Sequence, residues 1–594
     1  MCQINGITER GVRKMRDKWP SRFTFILASI GSAVGLGNAW RFPGLAAKHG
    51  GGAFLFAYII AMVVIGMPLL MMELSIGRKM KAGSPVALKG LRKGGEYIGW
   101  ASTANAFVIV TYYAAVFAWV ILMALLSFKF ASMTGTATGI EEAENLWANS
   151  INTTWGTSLF GQGSQIPLIL LISLAIAWFA IYYCIKDGAS SVSKVVKYTV
   201  FIPVILLVIL AVRGFTMGNT GAAMKALFVP KFEAFKEPTI WVDAIGQAFY
   251  SLSIMMAIMI AYGSFLDDKS NIVEDVMIIA VSDFLTSVLS GIVLFTTMYG
   301  CGMTVDDMSA SGISTAFLIY PMAIVQLTNV GWINAVFGFI FYLMLITLTI
   351  DSAFSIVEGI SASISDKYGI SKKKTTIGII LVAAVISLIY VTGSGVAWLD
   401  IVDNWTNQYN LLIVGVLECV LVGWFFKPKK VLKEINKNTN KLKMPAFWFY
   451  AAVMVIAPLA LLGLTIWNIY ILIDKNDGLY GGYPLYANIA GWIITFLAFM
   501  SGFIIKLITK FNPRLRALAW HAEQNFKTWE QLDEEEAKAK EQDADMPVEI
   551  VEESVKTDSV LADTAVMQDA VTEQEVVKPK TRNTKKAVSE KTDK

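Results

Sequence analysis

The chain has 594 residues, of which 55% are hydrophobic and only 16% are charged, and its mean hydropathy is +0.55. Because a soluble domain carries roughly 25% charged residues, this composition excludes an ordinary soluble protein and indicates a chain that crosses the membrane many times. Four scattered cysteines without a CxxC pair, and only two histidines, leave little material for a disulfide framework, a zinc site or histidine-based catalysis.

Twelve apolar runs follow the basic first 22 residues, and each is long enough to cross a hydrocarbon core of about 30 Å. We number them spans 1 to 12, with predicted bounds 23–47, 52–77, 98–128, 166–184, 193–213, 241–265, 272–300, 333–364, 375–395, 399–426, 446–473 and 486–510. The first run is a full span and lacks the pattern of a cleavable signal peptide. Lys and Arg are concentrated in the N-terminus and in the loops after spans 2, 8 and 10, which predicts that both termini are cytoplasmic.

Span 1 contains the stretch SAVGLGNAWRFP, residues 32–43, whose glycines, asparagine, arginine and proline interrupt an apolar run. Unwound backbone at membrane depth survives only where it lines a protein cavity. Gly35 and Gly37 favour unwinding, and the freed carbonyls with the Asn38 amide form an oxygen-rich set that suits Na⁺. The new helix N-terminus offers N–H groups to a carboxylate. A glycine-rich packing surface is the alternative, but it does not account for Asn38 and Arg41.

Charged residues inside other spans also need an explanation, because each costs at least about 2.5–3.5 kcal/mol at the bilayer centre. They are Glu73, Asp283, Asp351 and Glu418, with Arg41 and Asp403 near span ends. Such groups pair, bind a ligand or face a cavity. A structural ion pair or a buried hydrogen bond is the alternative for each, and it is favoured for Glu418, which has no polar sequence neighbours.

The tail changes character after about residue 512. The acidic stretch EQLDEEEAKAKEQDAD predicts a short exposed helix, and residues 545–594, which lack aromatics, predict disorder. A solvated tail is the interpretation we favour, and a partner or lipid contact for its basic end is the alternative.

Five motifs, in this order, resemble the neurotransmitter:sodium symporter family: GSAVGLGNAWRFP, GGAFLFAYII, GMPLLMMELSIGR, GQAFYSLS and LITLTIDSAFSIVE. The resemblance runs from about Arg16 to about residue 510. It implies an all-α polytopic membrane protein with 12 transmembrane helices, a LeuT-type 5+5 inverted repeat and broken helices 1 and 6. Local propensity does not predict the second break, because QAFYSLSIMMAIMIAY contains no glycine.

The resemblance divides the chain into six parts. They are a cytoplasmic N-terminus at 1–22, a first repeat at 23–213, an extracellular loop at 214–240, a second repeat at 241–426, a cytoplasmic loop with peripheral spans at 427–511, and a cytoplasmic, largely disordered tail at 512–594.

Carried over position by position, the resemblance also implies two sodium sites and a substrate site. Sodium site 1 would use Ala33, Asn38, Ser251 and Asp283, with the substrate carboxylate. Sodium site 2 would use Gly31, Val34, Leu348, Asp351 and Ser352. The substrate would contact Ala33, Gly35, Gly37, Ile109, Tyr113, Tyr250, Ser253, Met256, Ser352 and Ile356. Tyr113 would donate its hydroxyl to the substrate carboxylate, and Tyr250 would close over the substrate; an interfacial aromatic is the alternative for Tyr113.

The same resemblance implies two gates. Arg41 and Asp403 would form the outer gate, and Arg16 and Asp366 the inner one, with Trp19 beside Arg16. Glu73 would brace the broken part of span 6. Snorkelling towards the interface is the alternative for Arg41, and an ordinary cytoplasmic positive charge is the alternative for Arg16.

One departure from the family concerns chloride, which many members bind through residues matching Tyr58, Gln247, Ser251 and Ser287. Members without chloride generally carry a carboxylate at the position of Ser287. In this chain the carboxylate lies four residues before Ser287, on the same helical face, because Asp283 replaces the Asn that is usual at that position. We hypothesise that Asp283 supplies the charge of chloride, which would then be unnecessary; the alternative is that Asp283 is protonated or serves only sodium.

Other departures bear on the substrate. Gly35 stands where monoamine members carry an aspartate, which favours an amino acid with its own carboxylate. Met255 and Met256 would narrow the pocket, which favours a compact or linear amino acid over an indole. Phe265 replaces a tyrosine common near the inner gate.

The sequence therefore predicts a sodium-coupled secondary active symporter that imports a small or medium amino acid by alternating access, and not an enzyme. We expect amino acid, sodium and lipid bilayer as partners, and no nucleic acid. The alternative is an amino-acid-binding membrane sensor or scaffold with little transport. Compact external loops and few glycosylation sequons favour a bacterial inner membrane. The substrate, the sodium stoichiometry and the oligomeric state stay open.

Overall fold

The computed structural model describes residues 18–153, 165–305, 312–439, 442–474 and 478–544. Within these ranges ten helices are long and apolar enough to cross a membrane. They are Gly52–Met80, Gly95–Met133, Leu168–Ile185, Ala189–Phe215, Ile272–Gly300, Gly331–Tyr368, Lys372–Val391, Gly395–Phe425, Ala446–Asp474 and Leu485–Phe511. These helices are spans 2 to 5 and 7 to 12, and their ends differ from the predicted bounds by no more than five residues.

Spans 1 and 6 are the two that are broken. Span 1 consists of Arg22–Ala33 and Gly37–Lys48, which are bent by 49° relative to each other. Span 6 consists of Pro238–Ser251 and Ile258–Ser264, and neither half is long enough to cross a membrane alone. With each broken pair counted as one span, every one of the twelve predicted spans has a helical counterpart among the described residues.

The break in span 1 follows from its local sequence. Val34 leaves the helix with extended angles, φ −80° and ψ 98°. The Asn38 side chain then accepts the Gly35 N–H at 2.9 Å, so this N–H has a partner inside the break. This side-chain bond replaces the carbonyl partner that an unbroken helix would supply.

Four of the six π-helical turns among the described residues have a local cause, because each of the four ends two residues before a proline. They are Gly37–Arg41 before Pro43, Met62–Gly66 before Pro68, Thr315–Ile319 before Pro321 and Ala452–Ile456 before Pro458. A proline has no N–H, and its ring clashes with the carbonyl four residues earlier. The wider turn accommodates that carbonyl without ending the helix.

The break in span 6 has no glycine, and three other residues take its place. Ser253, Met255 and Ala257 have positive φ angles of 52°, 63° and 60°. Such angles are strained for residues with a side chain. Contacts from other spans must therefore hold this break.

The contacts at this break come from spans 1, 2 and 3. Glu73 Oε1 accepts the Met255 N–H at 2.9 Å, and Ser102 Oγ donates to the Met255 carbonyl at 3.1 Å. Ser253 Oγ donates to the Ser32 carbonyl, beside the first break, at 2.8 Å. The two breaks are thus joined directly.

The chain divides into two units, of which the first ends at Thr528 and contains all the spans. Its last helix is Pro513–Gln524. The described part of the second unit is the helix Trp529–Ala544, which coincides with the acidic stretch expected to be helical. Residues 545–594, expected to be disordered, lie outside the described residues.

Candidate functional site

The side chains expected at sodium site 1 meet around the buried carboxylate of Asp283. Asn38 Nδ2 donates to Asp283 Oδ1 at 2.7 Å and contacts Ser251 Oγ at 3.0 Å. Ser251 Oγ donates to the same carboxylate oxygen at 2.6 Å. Spans 1, 6 and 7 each contribute one of these residues, so the cluster exists only when the three spans pack together. Asn38 turns its NH2 group to this cluster and its oxygen to the Gly35 N–H, so the oxygens that suit a hard cation such as Na⁺ here are the Ser251 hydroxyl and the Asp283 carboxylate.

Of the residues expected around chloride, Tyr58 and Ser251 contact the same carboxylate directly. The Tyr58 hydroxyl donates to Asp283 Oδ2 at 2.8 Å, and Asn38 Nδ2 contacts Ser287 Oγ at 2.8 Å. Gln247 instead donates to the Gly37 carbonyl at 3.2 Å. The Asp283 carboxylate thus contacts Tyr58 directly, and Ser287 is linked to it through Asn38.

Asp351 and the backbone of Gly31, both expected at sodium site 2, meet beside the first break. Asp351 is buried, and its Oδ1 has no hydrogen-bond partner among the described residues. A Cβ added to Gly31 would lie 2.6 Å from Asp351 Oδ2, so the backbone of span 1 runs directly against the carboxylate. Val34 begins the break, and Leu348 lies one helical turn before Asp351 on span 8. A buried carboxylate with one unpartnered oxygen beside an unwound backbone fits a bound cation.

A cavity lies between the two breaks, and we call it the central cavity. Its lining includes all ten residues expected to contact the substrate, and it adds Ser32, Leu36, Asn38 and Ser251. Its volume is about 20 Å³. Sequence reasoning missed Ser32 and Leu36, although both lie in the helix-breaking stretch. Met256 lines the cavity, whereas Met255 does not, so only one of the two methionines narrows it.

Two glycines let the chain pass close to aromatic and hydroxyl groups of this cavity. A Cβ at Gly35 would lie 2.6 Å from Ser352 Oγ and 3.4 Å from the Tyr113 hydroxyl oxygen. A Cβ at Gly37 would lie 3.1 Å from the Tyr250 ring. A longer side chain at Gly35 would fill the space beside Tyr113.

A second cavity, which we call the outer cavity, lies on the other side of Tyr250. It is lined by Arg41, Val242, Gly246, Phe249, Tyr250, Asn407, Gln408, Leu411, Leu412 and Leu464. The Arg41 guanidinium lies over the Tyr250 ring, 5.6 Å from its centroid. In the part of the chain that the structure describes, no ion pair joins Arg41 to Asp403 within 4.0 Å. Asp403 instead accepts hydrogen bonds from Tyr112 at 2.8 Å and Asn407 at 2.7 Å, two residues that sequence reasoning missed.

The expected inner gate is described only in part, because Arg16 lies outside the described residues. Asp366 Oδ2 accepts the Gly83 N–H at 2.6 Å. Trp19 Nε1 donates to the Tyr262 carbonyl at 3.2 Å, and its ring packs edge-on against Phe265 at 6.0 Å. Phe265 thus takes part in ring packing where a tyrosine would offer a hydroxyl.

Glu418 is less isolated than its sequence neighbours suggest. It is fully buried, its two carboxylate oxygens have no hydrogen-bond partner among the described residues, and its side chain lies beside that of Glu73. Span 10 therefore adds a second carboxyl group behind the break in span 6. No sequence signal links these two residues, because they belong to different repeats.

Comparison with known proteins agrees with this geometry. The sequence model of the sodium:neurotransmitter symporter family matches residues 16–136 and 130–512 of this chain. An uncharacterized sodium-dependent transporter of Methanocaldococcus jannaschii is 31% identical over 83% of this chain and 97% of its own length. The sodium-dependent neutral amino acid transporter B(0)AT3 of Mus musculus is 27% identical over 89% of this chain and 99% of its own.

Solved structures show the same fold. The crystal structure of MhsT in complex with L-phenylalanine aligns with a TM-score of 0.65 at 24% identity, and the alignment covers 76% of this chain and 99% of MhsT. The expected all-α, LeuT-type fold is therefore confirmed. The chain belongs to the sodium:neurotransmitter symporter family, so it is a multi-pass membrane transporter that depends on sodium and not an enzyme.

Proposed function

We propose that this chain imports a small or medium amino acid together with sodium by alternating access. The observation that carries the proposal is the central cavity, where both helix breaks and the Tyr113 hydroxyl meet between two oxygen-rich clusters. Such a site lets a cation and an anionic group bind side by side.

A substrate carboxylate has a specific place in this proposal. The second half of span 1 begins beside Gly35, so its first N–H groups and positive dipole end attract an anion. Gly35 leaves room for that group, and Tyr113 supplies a hydroxyl donor. The names of relatives point the same way, since B(0)AT3 is a neutral amino acid transporter and MhsT was crystallised with L-phenylalanine.

Sodium would be the second substrate, held at two sites. Asn38, Ser251 and Asp283 with the Ala33 carbonyl would bind one ion, and the substrate carboxylate would complete its shell. Asp351 and Ser352 with the carbonyls of Gly31, Val34 and Leu348 would bind the other. Because the amino acid and the first ion would coordinate each other, each would raise the affinity of the other.

Asp283 would make chloride unnecessary. The support is its contact with Tyr58 at 2.8 Å and its link through Asn38 to Ser287, since a fixed carboxylate there already provides a negative charge. Strict chloride dependence of uptake by the unmodified chain would contradict this hypothesis.

The side chain of the substrate would lie among Ile109, Met256 and Ile356. These residues line the central cavity with flexible or branched apolar groups, which suits a compact or linear side chain better than an indole. Competition by a panel of amino acids would test this, and a strong preference for tryptophan would contradict it.

We further propose that the protein lies in a bacterial inner membrane with both termini in the cytoplasm. The support is the distribution of Lys and Arg among the loops, together with a prokaryotic relative that matches over 97% of its length. Protease accessibility of the tail in inverted and right-side-out vesicles would test the orientation.

Uptake into proteoliposomes tests the proposed function as a whole. Each of the twenty radiolabelled amino acids is offered with and without a sodium gradient, and with chloride replaced by gluconate. We expect accumulation of one or a few amino acids that requires sodium and persists without chloride. Saturable binding of an amino acid without accumulation would favour a sensor over a symporter.

A further inference from the structure

Span 3 carries two adjacent tyrosines whose side chains point to different parts of the molecule. Tyr113 lines the central cavity, whereas the Tyr112 hydroxyl donates to Asp403 Oδ1 at 2.8 Å. Tyr112 is only 2% exposed, and its ring packs edge-on against Tyr390 at 6.1 Å. Its hydroxyl is therefore held in place by packing on span 3 and is directed at span 10.

Asp403 receives a second hydrogen bond at the same oxygen. Asn407 Nδ2 donates to Asp403 Oδ1 at 2.7 Å and to the Tyr112 hydroxyl at 3.2 Å. Asn407 lies one helical turn after Asp403 on the same face of span 10. Among the described residues no donor contacts Oδ2. The carboxylate is thus oriented from two spans, with one oxygen occupied and the other left for another partner.

The backbone that carries Asp403 is anchored as well. Asp400, one turn earlier, accepts the hydroxyls of Tyr480 and Tyr483 at 3.0 Å each. Trp405 packs edge-on against Tyr480 at 5.5 Å. The loop between spans 11 and 12 therefore holds the start of span 10.

Arg41 contrasts with this fixed carboxylate. It belongs to the short second half of span 1, and its guanidinium lies over the Tyr250 ring and not on Asp403. Ordering a free side chain costs conformational entropy, so a carboxylate that is already oriented pairs more readily with an arriving guanidinium.

We propose that Tyr112 and Asn407 are positioning residues of the outer gate, which hold Asp403 so that its free oxygen faces Arg41 when the gate closes. The inference rests on the proposed symport, in which Arg41 and Asp403 close the outer cavity. In this proposal Asp403, held by residues of spans 3 and 10, is the fixed partner of the gate, and Arg41 on span 1 is the moving partner.

The test measures gate opening through a cysteine in the outer cavity. Gly246 lines that cavity, and a Cβ added there has open space around it, so Gly246→Cys is a mild reporter. With the four native cysteines replaced by serine, its modification by a membrane-impermeant methanethiosulfonate is followed in purified protein with sodium and a mixture of the twenty amino acids. We expect Tyr112→Phe, which keeps the ring packing, to raise the modification rate roughly ten-fold, because a hydrogen bond to a charged group is lost.

A double-mutant cycle separates positioning from general packing. In an Asp403→Asn background, Tyr112→Phe should add little, because the charge that it positions is gone. The matched control is Tyr409→Phe, which removes a tyrosine hydroxyl on span 10 that donates to the Asn468 carbonyl at 3.4 Å. This variant should leave the modification rate unchanged. Asn407→Ala should act in the same direction as Tyr112→Phe.

Two results would overturn the proposal: a rate for Tyr112→Phe equal to that of Tyr409→Phe, or a full effect of Tyr112→Phe in the Asp403→Asn background. A failure of the proposed symport is separate, because it would show as absent sodium-driven uptake in the Gly246→Cys parent itself.

Discussion

At the scale of single residues, the sites are built from close approaches that allow few substitutions. Gly31 runs against Asp351, and Gly35 runs against Ser352 and Tyr113. Asp283 gathers donors from Asn38, Ser251 and Tyr58. Each of these positions supports a prediction about one atom group.

Gly35→Ala should weaken sodium-dependent amino acid binding. Its Cβ would lie 2.6 Å from Ser352 Oγ, so the cavity wall must shift. Overpacking of this kind costs about 1–3 kcal/mol, which as a loss of binding free energy corresponds to roughly five-fold to 150-fold weaker binding. Equilibrium binding in detergent measures the change. Gly246→Ala is the control, because an added Cβ meets nothing within 4 Å there; equal affinities for the two variants would contradict the prediction.

Asp283→Asn should make uptake depend on chloride. The substitution keeps the size of the side chain and removes the charge that contacts Tyr58. Uptake by this variant should fall when chloride is replaced by gluconate, while uptake by the unmodified chain should not. Asp187→Asn removes an exposed carboxylate elsewhere and serves as the control. A variant that transports equally well with and without chloride would argue that Asp283 does not replace the anion.

At the scale of the helices, the two broken spans reach similar forms by different routes. Span 1 breaks at Val34 and Gly35, and Asn38 from within the same span accepts the Gly35 N–H. Span 6 breaks through Ser253, Met255 and Ala257, whose angles are held by other spans. The second route makes the break depend on residues far away in the sequence.

Glu73→Ala should destabilise the break in span 6. Removal of the carboxylate leaves the buried Met255 N–H without its partner at 2.9 Å, which costs about 1–3 kcal/mol. We expect a lower melting temperature and weaker sodium binding. Glu73→Gln keeps an oxygen acceptor and should retain most of both. If the two variants melt alike, the hydrogen bond to Met255 does not hold the break.

At the scale of the first unit, an ion network joins its last helix to the ends of two spans. Glu523 pairs with Lys89 at 2.5 Å and with Lys367 at 3.5 Å, and Glu96 of span 3 pairs with Lys367 at 2.6 Å. Burial alone would raise the pKa of Glu523, but the hydrogen bond and charge of Lys89 and the charge of Lys367 lower it below its usual value. The network thus favours the charged carboxylate.

The ion pairs of this network should be lost at acidic pH, when Glu523 becomes protonated. Because the pKa of Glu523 is lowered in the folded chain, its contribution is present above the usual pKa of about 4.3 and is lost as the pH falls through the lowered value. The rate of hydrogen exchange in helix Pro513–Gln524, corrected for the intrinsic rate, should rise as the pH falls from about 7 to about 3. Glu523→Gln should raise exchange already at neutral pH, and the exposed Glu541→Gln should not. Exchange that is independent of pH and of Glu523 would contradict this role.

The sequence by itself determined the family, the twelve spans and the break in span 1. These features depend on local patterns: apolar runs of membrane length, glycines beside an asparagine, and motifs of consecutive residues. All ten residues expected to contact the substrate line one cavity, because the motif on span 1 fixes the positions of its partners in the family pattern.

Only the tertiary structure decided how span 6 breaks and how Asp403 is held. Positive φ angles at Ser253, Met255 and Ala257 oppose local propensity, and they persist because Glu73, Ser102 and Ser32 bond the strained segment from three other spans. Asp403 likewise finds Tyr112, 291 positions away, as one of its partners. Hydrogen bonds between residues so distant in sequence leave no local pattern, so their energy enters only when the spans pack together.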